Sequence, residues 1–264
     1  VSAAMVKTLR GAFEEKGICL RDEDFLTPLW TEDRPPVPAT PAWMLTKDQA
    51  GLSVREKLAA VREKLAAQKA GAMLVTRLDS VAWLLNLRAS DIAYNPFALA
   101  YCLVEENTAR LFINAARVPE DVQAALKAQG VELCGYEQAR SALAAMEGPA
   151  TVLYEPAGTS WAMLRALEEN PAVTLQEGEE PVQALKGVKN ETEIARMKQA
   201  HRKDGAAMVR FEIELRRRLA AGESWTEMEA SDYLLGLRRA QEENLGASFE
   251  TIAAYGANAA MMHY

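Results

Sequence analysis

Short apolar runs alternate with helical patterns between residues 51 and 183 of this sequence. The runs of strand type lie at residues 72–75, 98–104, 110–113, 131–133, 151–154 and 173–175. The helical patterns lie at residues 54–69, 119–129, 136–146 and 160–169, with a short helix that Asp79 or Ser80 caps and that runs to Leu85. The polar EENT between the second and third runs predicts a hairpin. This alternation is typical of an α/β layer structure, in which helices cover the faces of a sheet.

The size and charge of the chain narrow the class of protein. Its 264 residues are enough for two domains with cores of their own, and its net charge of -7 argues against a nucleic-acid surface. No apolar run approaches the roughly 20 residues of a membrane-spanning helix, and the start lacks the apolar core of a signal peptide. Cys19, Cys102 and Cys134 lie far apart without metal-type spacing. We therefore expect a cytoplasmic protein with reduced thiols and no membrane partner.

A helix and a proline-rich stretch precede the alternating region. Residues 1–16 have the apolar spacing of an amphipathic helix, and five prolines with two tryptophans follow between residues 27 and 43. Proline lacks a backbone donor and fixes its φ angle, so this stretch is predicted to be a semi-rigid linker between domains. A proline-rich binding motif is the alternative interpretation.

A different pattern begins after an acidic loop at residues 177–180. Apolar residues recur on one face of a long helix from Glu191, and a second helix at residues 226–243 starts with a capping box of Thr226 and Glu229. Residues 249–254 have the composition of a strand, followed by a turn at Gly256 and Asn258. One strand is too little sheet to cover two long helices, so we expect part of this domain's sheet to come from elsewhere.

The predicted organisation has three parts. Residues 1–50 are the end of a first domain with its proline-rich linker, and residues 51–180 form an α/β domain. Residues 181–264 form the first part of a further domain.

Few residues have a pattern that indicates chemistry. The sequence contains no phosphate-binding glycine loop, no GxSxG motif and no HExxH motif. His201, on the apolar face of the long helix, is interpreted as a packed histidine rather than a metal ligand. His263 follows the turn after the predicted strand, where an imidazole can transfer protons near neutral pH. An ordinary terminal histidine is the alternative for His263.

A second dense group of polar residues lies between a helix and a strand. It contains Asp79 at the start of that helix and Arg88, Asp91, Tyr94 and Asn95 in the loop that follows. Binding of a ligand carboxylate, or a subunit contact, is one interpretation. An internal Arg/Asp pair that holds the loop in place is the favoured one.

Three long stretches of the sequence resemble a known family. They are DSVAWLLNLRASDIAYNPFALAY at residues 79–101, PVQALKGVKNETEIARMKQAHRKDGAAMVRF at residues 181–211 and GASFETIAAYGANAAMMHY at residues 246–264. In order and spacing they resemble the Xaa-Pro aminopeptidases, which are pita-bread metallopeptidases related to creatinase and prolidase. The resemblance implies a creatinase N-terminal-like (ribonuclease H-like) α/β domain followed by the incomplete start of a pita-bread α+β domain.

The resemblance also implies a reaction. In the family, two divalent ions of manganese type bridge a water molecule that attacks the peptide bond before a penultimate proline. The family's metal ligands, two Asp, one His and two Glu, follow the GxNxAxxHY motif, so no metal ligand is expected among these 264 residues. His263 matches the histidine that contacts the substrate and transfers a proton. The chain alone is therefore expected to be inactive, and the resemblance implies a homodimer acting on peptides.

Two other functions stay open from the sequence. One is a non-catalytic pita-bread module that binds peptides or protein partners, which the missing ligands favour and His263 disfavours. The other is an enzyme of the prolidase or creatinase type, against which the proline-rich linker counts.

Overall fold

The computed structural model describes residues 1–148 and 150–262, which form two compact units. The first unit consists of Val1–Asp91 and Phe97–Lys189. The second consists of Ile92–Pro96 and the chain from Asn190 onward.

The first unit contains helices and strands in alternation, as predicted. Its helices are α1 (Ala3–Glu14), α2 (Leu26–Leu29), α3 (Lys47–Ala50), α4 (Val54–Ala67), α5 (Leu78–Leu84), α6 (Glu120–Ala128), α7 (Ala139–Ala144), α8 (Trp161–Glu168) and α9 (Pro181–Gly187). Its strands are β1 (Trp43–Met44), β2 (Ala72–Val75), β3 (Leu87–Arg88), β4 (Tyr101–Glu105), β5 (Ala109–Ile113), β6 (Val131–Gly135), β7 (Ala150–Tyr154) and β8 (Val173–Glu177).

One mixed sheet organises this unit. Over the described residues it has six strands in the order β6-β5-β4-β2-β7-β8, while β1 and β3 form a separate antiparallel pair. The pairs β2–β4 and β4–β5 are antiparallel, which confirms the predicted hairpin, and Glu105 donates its backbone N–H to Thr108 in the connecting turn. The pairs β2–β7, β7–β8 and β5–β6 are parallel.

The central strand β2 is buried on both faces of the sheet. Met73 and Val75 belong to one apolar cluster and Ala72 and Leu74 to another, because side chains alternate across a strand. The first cluster includes residues of α4, α5 and α6, and the second includes residues of α7 and α8. Helices therefore pack on both sides of the sheet, which confirms the predicted α/β layers.

The predicted cap of α5 is wrong. The helix begins at Leu78, with Arg77 as its N-cap residue, and Asp79 and Ser80 lie within it. Gln183 of α9 contacts both of these side chains, and Lys186 of α9 pairs with Asp79. The two polar side chains that the local sequence pattern assigned to a helix cap therefore make tertiary contacts with α9 instead.

The proline-rich stretch has little regular structure. Residues 30–42 contain no helix or strand, as predicted for a linker. The helix α9 belongs to the first compact unit, where Val182 is buried in the same core as α4 and α5, and the units divide between Lys189 and Asn190. The three-part division at residues 50 and 180 stays a prediction of domain organisation.

Two helices dominate the second unit. They are α10 (Glu191–Ala220), about 45 Å long at the usual helical rise, and α11 (Glu227–Arg239). Both start with a capping box, which confirms the predicted box of Thr226 and Glu229. The guanidinium of Arg218 lies 4.4 Å from the ring centre of Trp225, whose ring also contacts Tyr233.

The predicted strand at residues 249–254 is absent. Phe249 and Ile252 are each 71% exposed, and no residue of this segment is in a strand. A strand needs a partner for its backbone hydrogen bonds, and the described residues of the second unit contain no strand to provide one. A strand-like amino-acid composition alone was therefore not enough to form a strand at residues 249–254.

Among the described residues, no helix combines the length and the apolar character that a membrane crossing requires.

We predict that Phe112→Ala destabilises the first unit by about 3–5 kcal/mol, because it leaves a cavity in the core. Phe112 on β5 is fully buried with residues of α7 and α8. Phe25→Ala is the matched control, since Phe25 is 66% exposed and its loss is expected to cost about 0.5 kcal/mol or less. Urea unfolding measures both changes, and equal losses would contradict the assigned core.

Candidate functional site

The segment that leads to His263 is anchored to α11. The carboxylate of Glu227 accepts a hydrogen bond from the backbone N–H of Tyr255 at 2.6 Å. It also accepts from the side-chain amide of Asn258, with Nδ2 3.0 and 3.2 Å from its two oxygens. Gly256 lies between the two contacts with a φ of 59°, a left-handed conformation that glycine adopts readily. The predicted turn at Gly256 and Asn258 is confirmed, but His263 itself lies outside the described residues.

His201 is exposed on α10, so the interpretation of a packed histidine is wrong. It lies in the wall of a cleft of about 590 Å³ within the second unit, formed by α10, the end of α11 and residues 241–249. Charged groups of this wall are paired with one another, because Arg238 binds Asp204 at 2.6 Å and Lys203 binds Glu243 at 3.3 Å.

A buried ion pair of the first unit lies at the base of the predicted polar loop. Asp91 pairs with Arg117, and the two side chains are 0% and 1% exposed. Arg117 Nη2 lies 2.6 Å from Asp91 Oδ1, and Thr40 donates its hydroxyl to the same oxygen at 2.8 Å. The backbone N–H of Leu99 donates to the other oxygen, Oδ2, at 2.8 Å. An internal Arg/Asp pair does hold Asp91, but its arginine is Arg117 from outside the loop and not Arg88, so the favoured interpretation is confirmed only in part.

The electrostatics of Asp91 follow from these contacts. Burial raises the pKa of the Asp91 carboxyl, but hydrogen bonds from Arg117, from the N–H of Leu99 and from Thr40 outweigh it, and the pKa lies below its ordinary value. Arg88 has a different role, because its guanidinium donates to the backbone oxygens of Ala82 and Leu87. Tyr94, at a φ of 65°, and Asn95 lie in the stretch Ile92–Pro96, which belongs to the second compact unit.

A second cluster of charged groups surrounds the start of α9. Glu180 is 6% exposed and hydrogen-bonds with Ser80, while its Oε1 has no hydrogen-bond partner among the described residues. Arg77 and Glu155 form a bidentate pair nearby, at 2.7 Å for both contacts. Burial raises the pKa of Glu180 to about 7, and the neighbouring Glu155 acts in the same direction. A carboxyl group that the sequence placed in an acidic loop is therefore buried and titrates near neutral pH.

Within residues 1–148 and 150–262, no group of three or more His, Cys, Asp or Glu side chains is arranged to hold a metal ion. The described residues do not form a two-metal centre, and no step of a metal-dependent reaction is assigned to them.

Sequence reasoning missed three of the residues that organise these clusters. Arg117, Thr40 and Glu180 have no motif around them. Arg117 lies 26 positions from its partner Asp91, and Thr40 lies 51 positions from it. A pairing signal between distant positions would have been needed to find them.

The chain belongs to the creatinase/prolidase N-terminal domain family, whose sequence model matches residues 33–193. Residues 195–264 match the model of metallopeptidase family M24. Over 277 aligned residues the chain is 32% identical to the "Probable Xaa-Pro aminopeptidase P" of Sordaria macrospora, and it is 32% identical to the protein of the same name from Neurospora crassa. The crystal structure of X-prolyl aminopeptidase from Caenorhabditis elegans, described as a cytosolic enzyme with a di-nuclear active site, matches with a TM-score of 0.90 at 31% identity.

These similarities cover the whole of this chain but less than half of each relative. The chain spans 45% of the Sordaria protein, 40% of the Neurospora protein and 43% of the C. elegans chain. The fold class predicted from the sequence is confirmed, since the family matches and the C. elegans structure agree with it.

We predict that Arg117→Ala destabilises the protein by about 3–5 kcal/mol at pH 7, because it leaves the Asp91 charge buried without its guanidinium. The lowered pKa of Asp91 means that the stability from this pair is present above the ordinary value of 3.8 and is lost only as the pH falls through the folded-state pKa. Arg110→Ala is the matched control. Its pair with Glu105 is 21% and 25% exposed, so about 1 kcal/mol is expected. Urea unfolding that gave the same loss for both variants would contradict the role of the buried pair.

A second prediction concerns the pH dependence of stability. The pKa of Glu180 is raised from 4.5 to about 7, so the folded state holds a proton that the unfolded state releases. Its contribution to the free energy of unfolding therefore falls as the pH rises from 4.5 to about 7 and levels off above, by about 3 kcal/mol at most. In Glu180→Gln this decline is expected to disappear, while the exposed neighbour Glu179→Gln keeps it. Urea titrations at pH 5.5 and pH 8 compare the variants, and parallel behaviour of Glu180→Gln and the wild type would refute the assignment.

Proposed function

We propose that this chain provides the creatinase-type α/β domain and the first part of the catalytic domain of a metal-dependent aminopeptidase. The enzyme removes the N-terminal residue from peptides that have proline in the second position. The match to the C. elegans X-prolyl aminopeptidase carries the proposal, because it extends over the whole chain with a TM-score of 0.90 and 31% identity. The names of the fungal relatives support the same substrate class.

The metal centre of the proposed enzyme would be formed by other parts of the longer protein. Two divalent ions, with manganese as the proposed element, would be held by residues other than those described, which contain no metal-binding group. The di-nuclear active site of the C. elegans enzyme supports the number of ions. Two such ions lower the pKa of a shared water molecule and polarise the scissile carbonyl.

His263 is the proposed catalytic residue of this chain. An imidazole in contact with the substrate can transfer a proton during cleavage of the peptide bond. The position of His263 after the turn at Gly256 and Asn258 supports this role, since that turn is fixed on α11 by Glu227.

The cellular location, the oligomeric state and the partners of the enzyme form a further part of the proposal. We propose a cytoplasmic homodimer without nucleic-acid or membrane partners. The description of the C. elegans enzyme as cytosolic supports the location, and the net charge of -7 supports the absence of a nucleic-acid surface.

The test is hydrolysis of Arg-Pro-Pro by the longer protein that contains this chain, with Arg-Ala-Pro as the control peptide. We expect release of arginine from the first peptide only, loss of activity with a chelator and recovery with Mn²⁺. His263→Ala is expected to lower kcat on the order of 10²- to 10⁴-fold through loss of proton transfer. His201→Ala, a change of an exposed histidine on α10, is expected to leave kcat unchanged.

Two results would count against this function. Equal cleavage of both peptides would remove the proline specificity. No cleavage of either by the metal-loaded protein would favour a non-catalytic peptide-binding module instead. Residues 1–264 alone are expected to show no activity.

A further inference from the structure

Side chains of α9 fasten this helix to α5. Gln183 of α9 donates a hydrogen bond to the Ser80 hydroxyl of α5, with 2.5 Å between the nitrogen and the oxygen. Lys186 of α9 forms an ion pair with Asp79 of α5. Since α9 is the last element of the first unit, these contacts hold the segment through which the chain leaves that unit.

Glu180 directly precedes α9 and is buried within this attachment. It is 6% exposed, and its carboxyl group hydrogen-bonds with Ser80. It occupies the N-cap position of α9, yet its side chain caps none of the helix N–H groups. The other oxygen, Oε1, is buried without a hydrogen-bond partner among the described residues. Because these residues themselves bury Oε1, groups of a longer protein do not reach it unless this packing changes.

The charges around Glu180 are balanced while its carboxyl group is neutral. Arg77 and Glu155 form a bidentate ion pair, and Lys186 and Asp79 form a second pair. Two cations thus match two carboxylates, and an ionised Glu180 adds a third negative charge to a poorly hydrated cluster. Burial opposes that charge, and so do the neighbouring carboxylates of Glu155 and Asp79, because like charges repel.

The titratable groups of the other neighbouring elements do not offset this charge. On α4, the ammonium of Lys57 donates to the backbone of α5, and the guanidinium of Arg62 donates to the backbone of β4. The thiol of Cys102 on β4 interacts electrostatically with Glu180, but burial raises its pKa to about 12, so it is neutral near pH 7. Water is therefore the environment that best accommodates an ionised Glu180.

We propose that Glu180, Ser80 and Gln183 form a pH-sensitive latch, which holds α9 on α5 while Glu180 is neutral and lets the first turn of α9 open when Glu180 is ionised. In the open form the carboxylate is hydrated and keeps its charge. The inference does not depend on the peptidase activity proposed above.

The direction of the pH effect follows from linkage. The pKa of Glu180 is raised from 4.5 to about 7, so the closed form holds a proton that the open form releases. Opening of α9 therefore becomes more frequent as the pH rises from 4.5 to about 7, and it levels off above that value.

The experiment measures hydrogen exchange by mass spectrometry on the longer protein that contains this chain. Protection factors are compared for residues 178–188 and for a reference peptide at residues 101–105, since β4 is paired on both sides. In the wild type we expect the protection of residues 178–188 to fall roughly 10- to 30-fold between pH 5.5 and pH 8. At pH 8 it is expected to lie at least about tenfold below the reference, because α9 opens without the sheet.

Three variants test the origin of this change. Glu180→Gln mimics the neutral carboxyl group, so its protection at residues 178–188 is expected to be the same at both pH values. Glu179→Gln is the matched control, an exposed neighbour that is expected to keep the wild-type fall. Glu155→Gln releases Arg77 from its pair and leaves a cation beside the ionised Glu180, so the fall is expected to shrink to about threefold or less.

Three results would overturn the latch. The first is a wild-type protection of residues 178–188 that does not change with pH, and the second is a fall of wild-type size in Glu180→Gln. The third is equal protection of residues 178–188 and the reference peptide at both pH values, which means that the whole unit opens together. The wild-type profile and Glu155→Gln still decide the question if Glu180→Gln does not fold.

Discussion

The buried pair of Asp91 and Arg117 connects three parts of the first unit that are far apart in the sequence. Arg117 follows β5, Asp91 closes the base of the loop after β3, and Thr40 lies in the proline-rich stretch. Moving both charges out of water is costly. Besides Arg117, the Thr40 hydroxyl and the Leu99 backbone N–H donate hydrogen bonds to the Asp91 carboxylate and offset part of that cost. A segment without helix or strand is thereby held against the sheet, and its last residue, Ala42, is buried in the core cluster on one face of that sheet.

The central sheet supplies the rigid frame for this pair and for the cluster at Glu180. β2 is buried on both faces, with α4, α5 and α6 on one side and α7 and α8 on the other. Arg77 directly precedes α5, Glu155 directly follows β7 and Glu180 directly precedes α9. Their partners are therefore fixed by packing, which lets a carboxyl group such as Glu180 keep a pKa near neutral pH without disturbing the core.

The sequence predicted the features that depend on neighbouring residues. The strand at β2, the hairpin of β4 and β5 and the capping box of Thr226 and Glu229 follow from local spacing, and all are confirmed. The cap at Asp79 and the strand at residues 249–254 are wrong because each depends on a partner elsewhere. Asp79 forms an ion pair with Lys186 of α9, while residues 249–254 have no strand to pair with among the described residues of their unit. The role of His263 came from a resemblance, and local spacing alone left it open.

The linker is held through its main chain more than through its side chains. Arg117 donates hydrogen bonds to the backbone oxygens of Pro38 and Thr40, and a backbone oxygen is available whichever side chain the residue carries. The hydroxyl of Thr40, which also receives the N–H of Ser90, is a chemical requirement of a different kind. During evolution this stretch can therefore exchange most of its residues while keeping its course, provided that position 40 retains a hydroxyl, position 42 a small buried side chain and position 117 a guanidinium.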